Sequence, residues 1–291
     1  MACKATRRLV DLVVISDVHL GTYGCRAKAL VQYLKTIRPQ TLVLNGDIID
    51  VWQFSKRYWP KSHTKVIKEL MNFVSEGIQV YYVTGNHDEM LRRYVGFELG
   101  SLKVVNKVLL PLADGKQAWV FHGDVFDITM QHSKWLTRLG AIGYDMLILL
   151  NSLVNFVSEK IFRKGKISVS KKIKNSVKSA VKFINSFEQT AAEIGISNGY
   201  DYVVCGHIHH PEIRTITTEK GQILYCNSGD WIENLTALEY HEGEWTLYHH
   251  PEQQAPVAEE PEAEPSTGEL FETMLEEFNL LRIPAPTETA F

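Results

Sequence analysis

Short runs of apolar residues alternate with segments of helical spacing over the first third of the chain. Three runs are rich in β-branched residues and end in polar turns, as is typical of strands buried on both faces; they are Leu9–Ser16, Thr41–Leu44 and Ile78–Thr84. Between them, Ala27–Ile37 and Thr64–Glu76 carry apolar side chains three and four positions apart, which predicts two amphipathic helices. This alternation predicts βαβ units whose strands run parallel.

The pattern changes after residue 100, where hairpins and a helical region replace the alternation. Leu102–Leu112 and Gln117–Phe121 flank Asp114-Gly115 and predict a hairpin, and a largely helical region follows from about Asp127 to Ile194. Tyr202–Cys205 predicts another strand, and two hairpins turn at Lys220-Gly221 and Glu242-Gly243. The fold class expected from this order is α/β, more closely an α+β sandwich of two mixed β-sheets flanked by helices, with a helical insert.

Composition divides the chain into three parts. We expect one domain over residues 1–250, with the helical insert at about 127–194. Residues 251–268 are rich in Pro, Glu and Ala and predict a flexible acidic linker. Ser266 and Glu269 then form a capping-box signal before an amphipathic tail helix over 269–283. Its apolar face requires a partner surface, either on its own domain or on another protein.

Charge and cysteine content exclude several classes of protein. A net charge of -3 over 291 residues argues against a general nucleic-acid binder. The four cysteines show no C-x-x-C spacing, so we expect neither a disulfide framework nor a thiolate zinc site, and a reduced, cytoplasmic compartment fits. The longest apolar stretch, Leu139–Val157, is interrupted by Asp145, Asn151 and Asn155, which argues against a membrane span.

Side chains that bind metals follow five of the predicted strands. They are Asp17 and His19; Asp47; Asn86, His87 and Asp88; His122; and His207 and His209. Any one of these motifs alone is more often a turn or an ordinary hydrogen-bonded histidine. In open α/β sheets, however, ligand sites gather beyond the carboxyl ends of the strands, so distant residues can converge there. Oxygen and imidazole ligands without a thiolate suit Mn, Fe, Zn or Co.

In this order the motifs resemble those of the calcineurin-like metallophosphoesterases. They read Asp-x-His, Gly-Asp, Gly-Asn-His-Asp, a single His before Gly-Asp, and Gly-His-x-His, between about Leu9 and His250. The resemblance implies two divalent metal ions, with Mn²⁺ the first choice and Fe or Zn as alternatives. It implies that Asp17, His19, Asp47 and His209 hold one ion. It further implies that Asp47, Asn86, His122 and His207 hold the other, with Asp47 bridging.

The remaining members of the Gly-Asn-His-Asp motif are candidates for catalytic roles. Two metal ions can lower the pKa of a bridging water so that hydroxide attacks phosphorus in line. His87 adjoins the ligand Asn86 without belonging to the ligand set, so it is placed to protonate the leaving oxygen or to stabilise its charge. Asp88 is expected to orient an imidazole, that of His87 or of His19.

The insert suggests a substrate with acyl chains and phosphates. An apolar stretch from Leu139 is followed by a basic one from Lys160 to Lys182, although a helical pair with a solvated lysine face would show the same pattern. The arrangement is similar to the UDP-2,3-diacylglucosamine pyrophosphatase family of lipid A biosynthesis, which carries a helical lid here. That resemblance implies cleavage of a pyrophosphate to UMP and an acyl-sugar 1-phosphate. One departure is His87, where the best-studied branch has Arg.

Position and charge make Asp127, Lys171 and Lys172 candidates for substrate contact. The basic insert also suits the surface of an anionic membrane, which predicts a cytoplasmic protein with peripheral contact to the inner membrane. No nucleic-acid partner is expected, because aromatic and basic residues do not interleave. Two alternatives stay open: an enzyme acting on a soluble nucleotide substrate, and a non-catalytic metal-binding scaffold.

Overall fold

The strands and helices predicted for the first third of the chain form, with their ends shifted by a few residues. The structure, a computed structural model, describes residues 7–52, 58–126 and 184–251. Its strands are β1 Arg8–Ile15, β2 Ile37–Asn45, β3 Gln79–Val83, β4 Glu98–Leu99, β5 Leu102–Val105, β6 Lys107–Pro111, β7 Gln117–Phe121, β8 Tyr202–Cys205, β9 Glu212–Thr218, β10 Gly221–Asn227, β11 Thr236–His241 and β12 Glu244–His249. The helices are α1 Ala27–Thr36, α2 Lys61–Ser75, a 3-10 helix Glu89–Tyr94, and α3, which covers 184–197.

The strands form two mixed sheets, which confirms the predicted fold class. The first has seven strands in the order β12-β11-β1-β2-β3-β5-β4, and the second has five in the order β6-β7-β8-β10-β9. Strands β1, β2, β3 and β5 run parallel, as the βαβ pattern predicts, while β11 and β12 extend that sheet antiparallel. In the second sheet β8 lies parallel to both β7 and β10.

One predicted strand is divided between the two sheets. The sequence suggested a single strand over Leu102–Leu112, whereas the chain bends at Asn106 and β6 joins the second sheet. The side chain of Asn106 accepts a hydrogen bond from the Thr84 hydroxyl at 2.9 Å, which fixes the bend beside the end of β3. The predicted hairpin itself is confirmed, because β6 and β7 pair antiparallel.

The alternation of side chains along β1 shows how the layers pack. Val13 faces α1 and α2 on the outer side of the first sheet, whereas Leu12 and Val14 face the second sheet. Both sets are buried almost completely, which explains why the strand reads as a continuous apolar run. Complete burial of a Val or Leu side chain contributes about 1.5–3 kcal/mol, so the inter-sheet layer holds the two sheets together.

The second sheet is covered on its outer face by α3. Phe187 and Ala191 of this helix pack against Trp119, Phe121 and Tyr225 of the strands. The molecule is therefore a sandwich of helices, sheet, sheet and helix over its described residues. The remainder of the predicted insert and the predicted linker and tail helix lie outside those residues. Among the helices of the described part, none is long and apolar enough to cross a membrane.

Candidate metal centre

The loops that follow β1, β2 and β8 place candidate ligands in an unusual backbone conformation. Five of the candidate ligands have φ between 51° and 69°: Asp17, His19, Asp47, His207 and His209. This left-handed region is uncommon for residues other than glycine, and it persists only where the surroundings enforce it. Because such outliers cluster at functional sites, the backbone itself distinguishes these five positions from ordinary strand ends.

Hydrogen bonds between the loops hold this backbone in place. The amide of Asp17 donates to the carbonyl of Gly46 at 3.1 Å, and the amide of His19 donates to the carbonyl of Asp47 at 2.9 Å. Across the sandwich, the amide of His207 donates to Oδ2 of Asp17 at 3.0 Å. The ends of the two sheets are therefore fixed to each other at the point where the candidate ligands meet.

Asp17, His19 and His209 form the first group of ligand atoms. One atom from each side chain lies within 4.8 Å of the others. Nε2 of His209 is 3.1 Å from Oδ1 of Asp17, and the rings of His19 and His209 have their centroids 5.5 Å apart. This grouping brings together three of the four residues expected to hold one ion.

Asp47, His122 and His207 form the second group, again within 4.8 Å. Nε2 of His122 lies 3.2 Å from Oδ2 of Asp47. The ring Nδ1–H of His122 donates to the carbonyl of Asn45 at 2.8 Å, so its Nε2 keeps the lone pair that a metal would need. The grouping contains three of the four residues expected to hold the other ion.

The loop that carries Asn86 lies at the same edge as these two groups. The amide of the next residue, His87, donates to Oδ1 of Asp47 at 2.8 Å. A side chain at Gly85 would not fit, because a Cβ there would lie 2.2 Å from the same oxygen. The Gly-Asn-His-Asp loop therefore approaches Asp47 as closely as backbone can, which explains the glycine.

Four buried atoms at this edge have no hydrogen-bond partner: Oδ1 of Asp17, Nε2 of His19, Oδ1 of Asn86 and Nε2 of His122. An unsatisfied buried polar atom costs about 1–3 kcal/mol, so four of them within one site call for a ligand. All four can be acceptors with a lone pair directed into the site. They therefore fit divalent cations, and the donor set is that of hard or borderline metals.

The carboxylates and imidazoles of the site alter one another's ionisation. Burial works to raise the pKa of Asp17, but the positive charge of the nearby His209 outweighs burial and lowers that pKa to about 2. Conversely, burial works to lower the pKa of His209, and Asp17 raises it to about 9. Asp47 and His122 show the same pattern: burial opposes both charges, yet the pKa of Asp47 is lowered and that of His122 raised. The site therefore stabilises positive charge beside the two ionised carboxylates of Asp17 and Asp47.

His87 lies next to the first group, and its neighbour is a residue that the sequence analysis did not select. The ring Nδ1–H of His87 donates to Oδ2 of Asp50 at 2.7 Å, and Nδ1 of His19 lies 3.3 Å from the same oxygen. Burial lowers the pKa of His87, but the hydrogen bond that His87 donates to Asp50 and the charge of Asp47 raise it overall. Nε2 of His87 is then the ring nitrogen available for proton transfer.

The geometry contradicts the expectation that Asp88 orients an imidazole. Its Oδ2 accepts hydrogen bonds from the Tyr82 hydroxyl at 2.7 Å and from the amide of Ile48 at 3.1 Å, and its Oδ1 accepts one from the amide of Gly85 at 2.6 Å. These contacts fix the loops after β2 and β3 to each other. Asp88 is therefore a structural residue beneath the site. The carboxylate that orients an imidazole is that of Asp50.

Two further features of this edge were not evident from sequence. Asp230, in the loop after β10, has Oδ2 3.8 Å from Nδ1 of His209, and its Oδ1 accepts hydrogen bonds from the amides of Ile232 and Glu233. Arg92 contacts Asp124, so the 3-10 helix is attached to the loop of His122. Asp230 follows no ligand motif, so sequence spacing gave no signal for it. Asp124 ends the His-Gly-Asp motif, and only its contact with Arg92 was not evident. The candidate substrate contacts Asp127, Lys171 and Lys172 lie outside the described residues.

A further cluster of possible metal ligands, separate from these two groups, lies farther along the same edge. Glu188, His210 and Glu212 bring ligand atoms within 4.8 Å of one another. Arg214 already contacts both carboxylates, with Nε 3.1 Å from Oε2 of Glu212. This cluster is therefore a network of ion pairs that anchors α3 to β9, and it is separate from the two groups described above.

Comparisons with known proteins show what this chain is similar to. A family model described as calcineurin-like phosphoesterase matches residues 10–211. The chain is 24% identical over 227 residues to the UDP-2,3-diacylglucosamine hydrolase of Blochmanniella pennsylvanica, covering 74% of this chain and 85% of that protein. It is 26% identical over 237 residues to the protein of the same name from Haemophilus influenzae Rd, covering 77% and 92%. A solved dimetal phosphatase from Danio rerio aligns with a TM-score of 0.38 at 14% identity, over 82% and 98% of the two chains.

Proposed function

Because the chain belongs to the calcineurin-like phosphoesterase family, and is accordingly a metal-dependent hydrolase, we propose that it cleaves the pyrophosphate of UDP-2,3-diacylglucosamine or of a similar lipid-linked nucleotide. Water would attack one phosphorus, and the products would be UMP and an acyl-sugar 1-phosphate. Support comes from the relatives named above, because they are UDP-2,3-diacylglucosamine hydrolases that match along most of their length.

The observation that carries the chemical part is the presence of two ligand groups at one sheet edge, with Asp47 a member of the second group. We propose that Asp17, His19, Asp47 and His209 hold one divalent ion, and that Asp47, Asn86, His122 and His207 hold the other. Two such ions supply charge that stabilises phosphoryl oxygens and lowers the pKa of a bound water. Manganese is our first choice of metal, because oxygen and imidazole ligands suit it and no thiolate is present in the set.

His87 would act on the leaving group. It lies beside the ligands, keeps Nε2 available and is held by Asp50, which fixes both its orientation and its tautomer. A protonated His87 can donate its proton to the leaving oxygen or stabilise the charge that develops there. The raised pKa of His87 keeps more of it protonated near neutral pH than an isolated histidine would be.

The acyl chains of the substrate require a surface beyond the sandwich. We propose that residues 1–250 form the catalytic domain, that the insert at about 127–194 is a lid over the acylated sugar, and that Asp127, Lys171 and Lys172 contact the substrate. The basic insert would also hold the enzyme against the inner membrane from the cytoplasmic side. Residues 251–268 would be a flexible linker, and the tail helix 269–283 would dock on this domain or on a partner.

The direct test is turnover by the full-length protein loaded with manganese. We expect hydrolysis of UDP-2,3-diacylglucosamine to UMP and the acylated sugar 1-phosphate, with a kcat/KM at least about 100-fold above that for the unacylated nucleotide sugar, since each buried CH₂ contributes about 0.8 kcal/mol. Equal turnover of both would favour a soluble nucleotide substrate. A metal-loaded protein that hydrolyses neither these compounds nor bis-p-nitrophenyl phosphate would favour the scaffold.

The contribution of the insert can be tested separately by reversing its charge. In the double variant Lys171→Glu/Lys172→Glu, kcat/KM for the acylated substrate should fall about 10-fold or more, while bis-p-nitrophenyl phosphate should be hydrolysed normally. A matched control is Lys35→Glu/Arg38→Glu, because Lys35 is in the last turn of α1 and Arg38 is at the start of β2, at the end of the strand opposite to the site. Equal losses of kcat/KM in the two double variants would show that these lysines do not contact the substrate.

A further inference from the structure

A cleft of about 450 Å³ opens beside His87, which is one of its lining residues. The loop after β2 forms one wall and the 3-10 helix Glu89–Tyr94 forms the other. The amide of Val51 donates to the carbonyl of His87 at 3.1 Å, so the first wall is joined directly to the Gly-Asn-His-Asp loop. A ligand in this cleft therefore lies against His87.

The charge on the walls of the cleft is positive. Arg92 and Arg93 line it, together with one acid, Glu89. Arg92 is held in place, because its guanidinium contacts Asp124 and donates to the carbonyl of Gly85 at 3.4 Å. Arg93 is exposed, and within the described residues its guanidinium makes no ion pair or hydrogen bond. The cleft thus combines a fixed cation with one that is available to an anionic ligand.

The opposite wall offers an aromatic face. The ring of Trp52 lies 4.8 Å from that of His87, tilted by 39°, and the residue is 40% exposed. Met90, also well exposed, adds an apolar surface at the rim of the cleft. A planar apolar ring opposite a guanidinium matches a phosphorylated compound that also carries a flat or apolar face, such as a sugar ring or a nucleobase.

The position beside His87 indicates which part of the substrate enters. In hydrolysis of a phosphoanhydride, the water oxygen bonds to the attacked phosphorus and the bond from that phosphorus to the bridging oxygen breaks. The electron pair of this bond stays on the leaving phosphate, and a proton released by the attacking water goes to that phosphate or to solvent. A leaving phosphate thus gains negative charge, which a guanidinium can stabilise. An alkoxide leaving group needs a proton instead.

We propose that this cleft is the subsite for a phosphorylated leaving group, and that Arg93 determines the preference of the enzyme for phosphoanhydrides over simple phosphate esters. The inference rests on the proposed function, because it assumes that hydrolysis takes place at the ligand groups beside His87. Trp52 packs against the organic part of the leaving group, and Arg92 maintains the position of the 3-10 helix that carries Arg93.

The test compares two substrates in the full-length, manganese-loaded protein. In Arg93→Ala, kcat/KM for UDP-N-acetylglucosamine, a soluble phosphoanhydride, should fall about 10- to 100-fold, as for loss of a charge-assisted hydrogen bond. Hydrolysis of bis-p-nitrophenyl phosphate, whose leaving group carries no phosphate, should stay within about 3-fold of the wild-type rate. Arg38→Ala is the matched control, since Arg38 is an exposed arginine at the start of β2, on the opposite edge.

Equilibrium binding provides a readout that does not depend on turnover. Isothermal titration with glucosamine 1-phosphate and with UMP shows which product occupies the cleft: the occupant should bind about 10-fold more weakly to Arg93→Ala, and the other product equally well to both proteins. The inference is overturned if Arg93→Ala loses both hydrolytic activities equally, loses neither, or binds both products normally. Wild-type protein that hydrolyses only the nitrophenyl ester would also overturn it.

These outcomes separate this inference from the proposed function. Turnover of the acylated substrate by wild type, with no discrimination in Arg93→Ala, would refute the role of Arg93 and leave the function standing. Arg93-dependent hydrolysis of the soluble anhydride, without turnover of the acylated one, would refute the lipid substrate and leave the subsite standing.

Discussion

One carboxylate oxygen of Asp50 accepts a hydrogen bond from Nδ1 of His87 at 2.7 Å, and it also lies 3.3 Å from Nδ1 of His19. A metal-ligand candidate and a proton-donor candidate are thus oriented by the same buried atom. Burial raises the pKa of Asp50, but its hydrogen bonds with His19 and His87 lower it more, so Asp50 stays ionised. The hydrogen bond that it accepts from His87 acts, together with the charge of Asp47, to keep the pKa of His87 raised.

Replacing Asp50 by Asn should therefore change the pH dependence of the reaction. Without the carboxylate the pKa of His87 falls, so the rate decline at high pH, which reports loss of the His87 proton, should move to lower pH. We expect kcat near neutral pH to fall about 10- to 100-fold. The measurement is kcat between pH 5 and 10 at saturating manganese, with bound metal quantified in parallel. An unchanged pH profile would show that Asp50 does not set the pKa of the proton donor.

His87→Ala should retain metal and lose rate. Because no ligand is removed, the bound metal should equal that of the wild type, whereas loss of a general acid typically lowers kcat by about 10²–10⁴-fold. Unchanged turnover of the pyrophosphate substrate would exclude His87 from the mechanism.

Asp47→Asn should weaken both metal ions together. The Asp47 carboxylate lies against His122 through one oxygen and accepts the amide of His87 through the other, and we propose that it bridges the two ions. Asp17→Asn is the matched comparison, because Asp17 belongs to the first group only. Metal content after dialysis should show a loss of both ions in Asp47→Asn and of one in Asp17→Asn. A single lost ion in both variants would exclude a bridging role.

The sequence was sufficient to locate the strands and the motifs after them, because buried parallel strands leave a continuous apolar run and their carboxyl ends share one edge. It could not distinguish Asp50 from Asp88 as the partner of His87. Each carboxylate is in a loop after a strand, and only the packing shows that Asp88 points toward Tyr82 beneath the loop. The change of sheet at Asn106 was missed for a similar reason: both halves are apolar and extended, and only the tertiary fold separates them.

Asp88→Ala should reduce stability more than it affects catalysis directly. It would leave the amides of Ile48 and Gly85 and the hydroxyl of Tyr82 without their acceptor, all of them buried or nearly so. At about 1–3 kcal/mol for each unsatisfied group, partly relieved by relaxation, we expect a loss of about 2–4 kcal/mol in the free energy of unfolding. Urea denaturation of the metal-free protein measures this loss. Tyr82→Phe, which removes only one of the three bonds, should cost less.

The burial of His63 predicts that the protein becomes less stable as the pH falls, independently of the metal ligands. It is buried in α2, and its Nδ1 accepts a hydrogen bond from the amide of Gly21 at 3.1 Å, which requires the neutral ring. Burial lowers the pKa of His63 to about 4 from an ordinary value near 6.5. Between these values the unfolded chain binds more protons at this residue than the folded one, so stability decreases as the pH falls through that window.

The size of this effect follows from the width of the window. At about 1.4 kcal/mol per pKa unit, protonation of His63 alone should remove up to about 3 kcal/mol by pH 4. His63→Gln retains an acceptor for Gly21 without a titrating ring, so the difference in unfolding free energy between wild type and variant should shift in favour of the variant as the pH falls from 7 to 4. Comparing the two proteins at equal metal content cancels the contributions of the site histidines. A difference that stays constant with pH would mean that His63 is protonated as readily in the folded protein as in the unfolded chain.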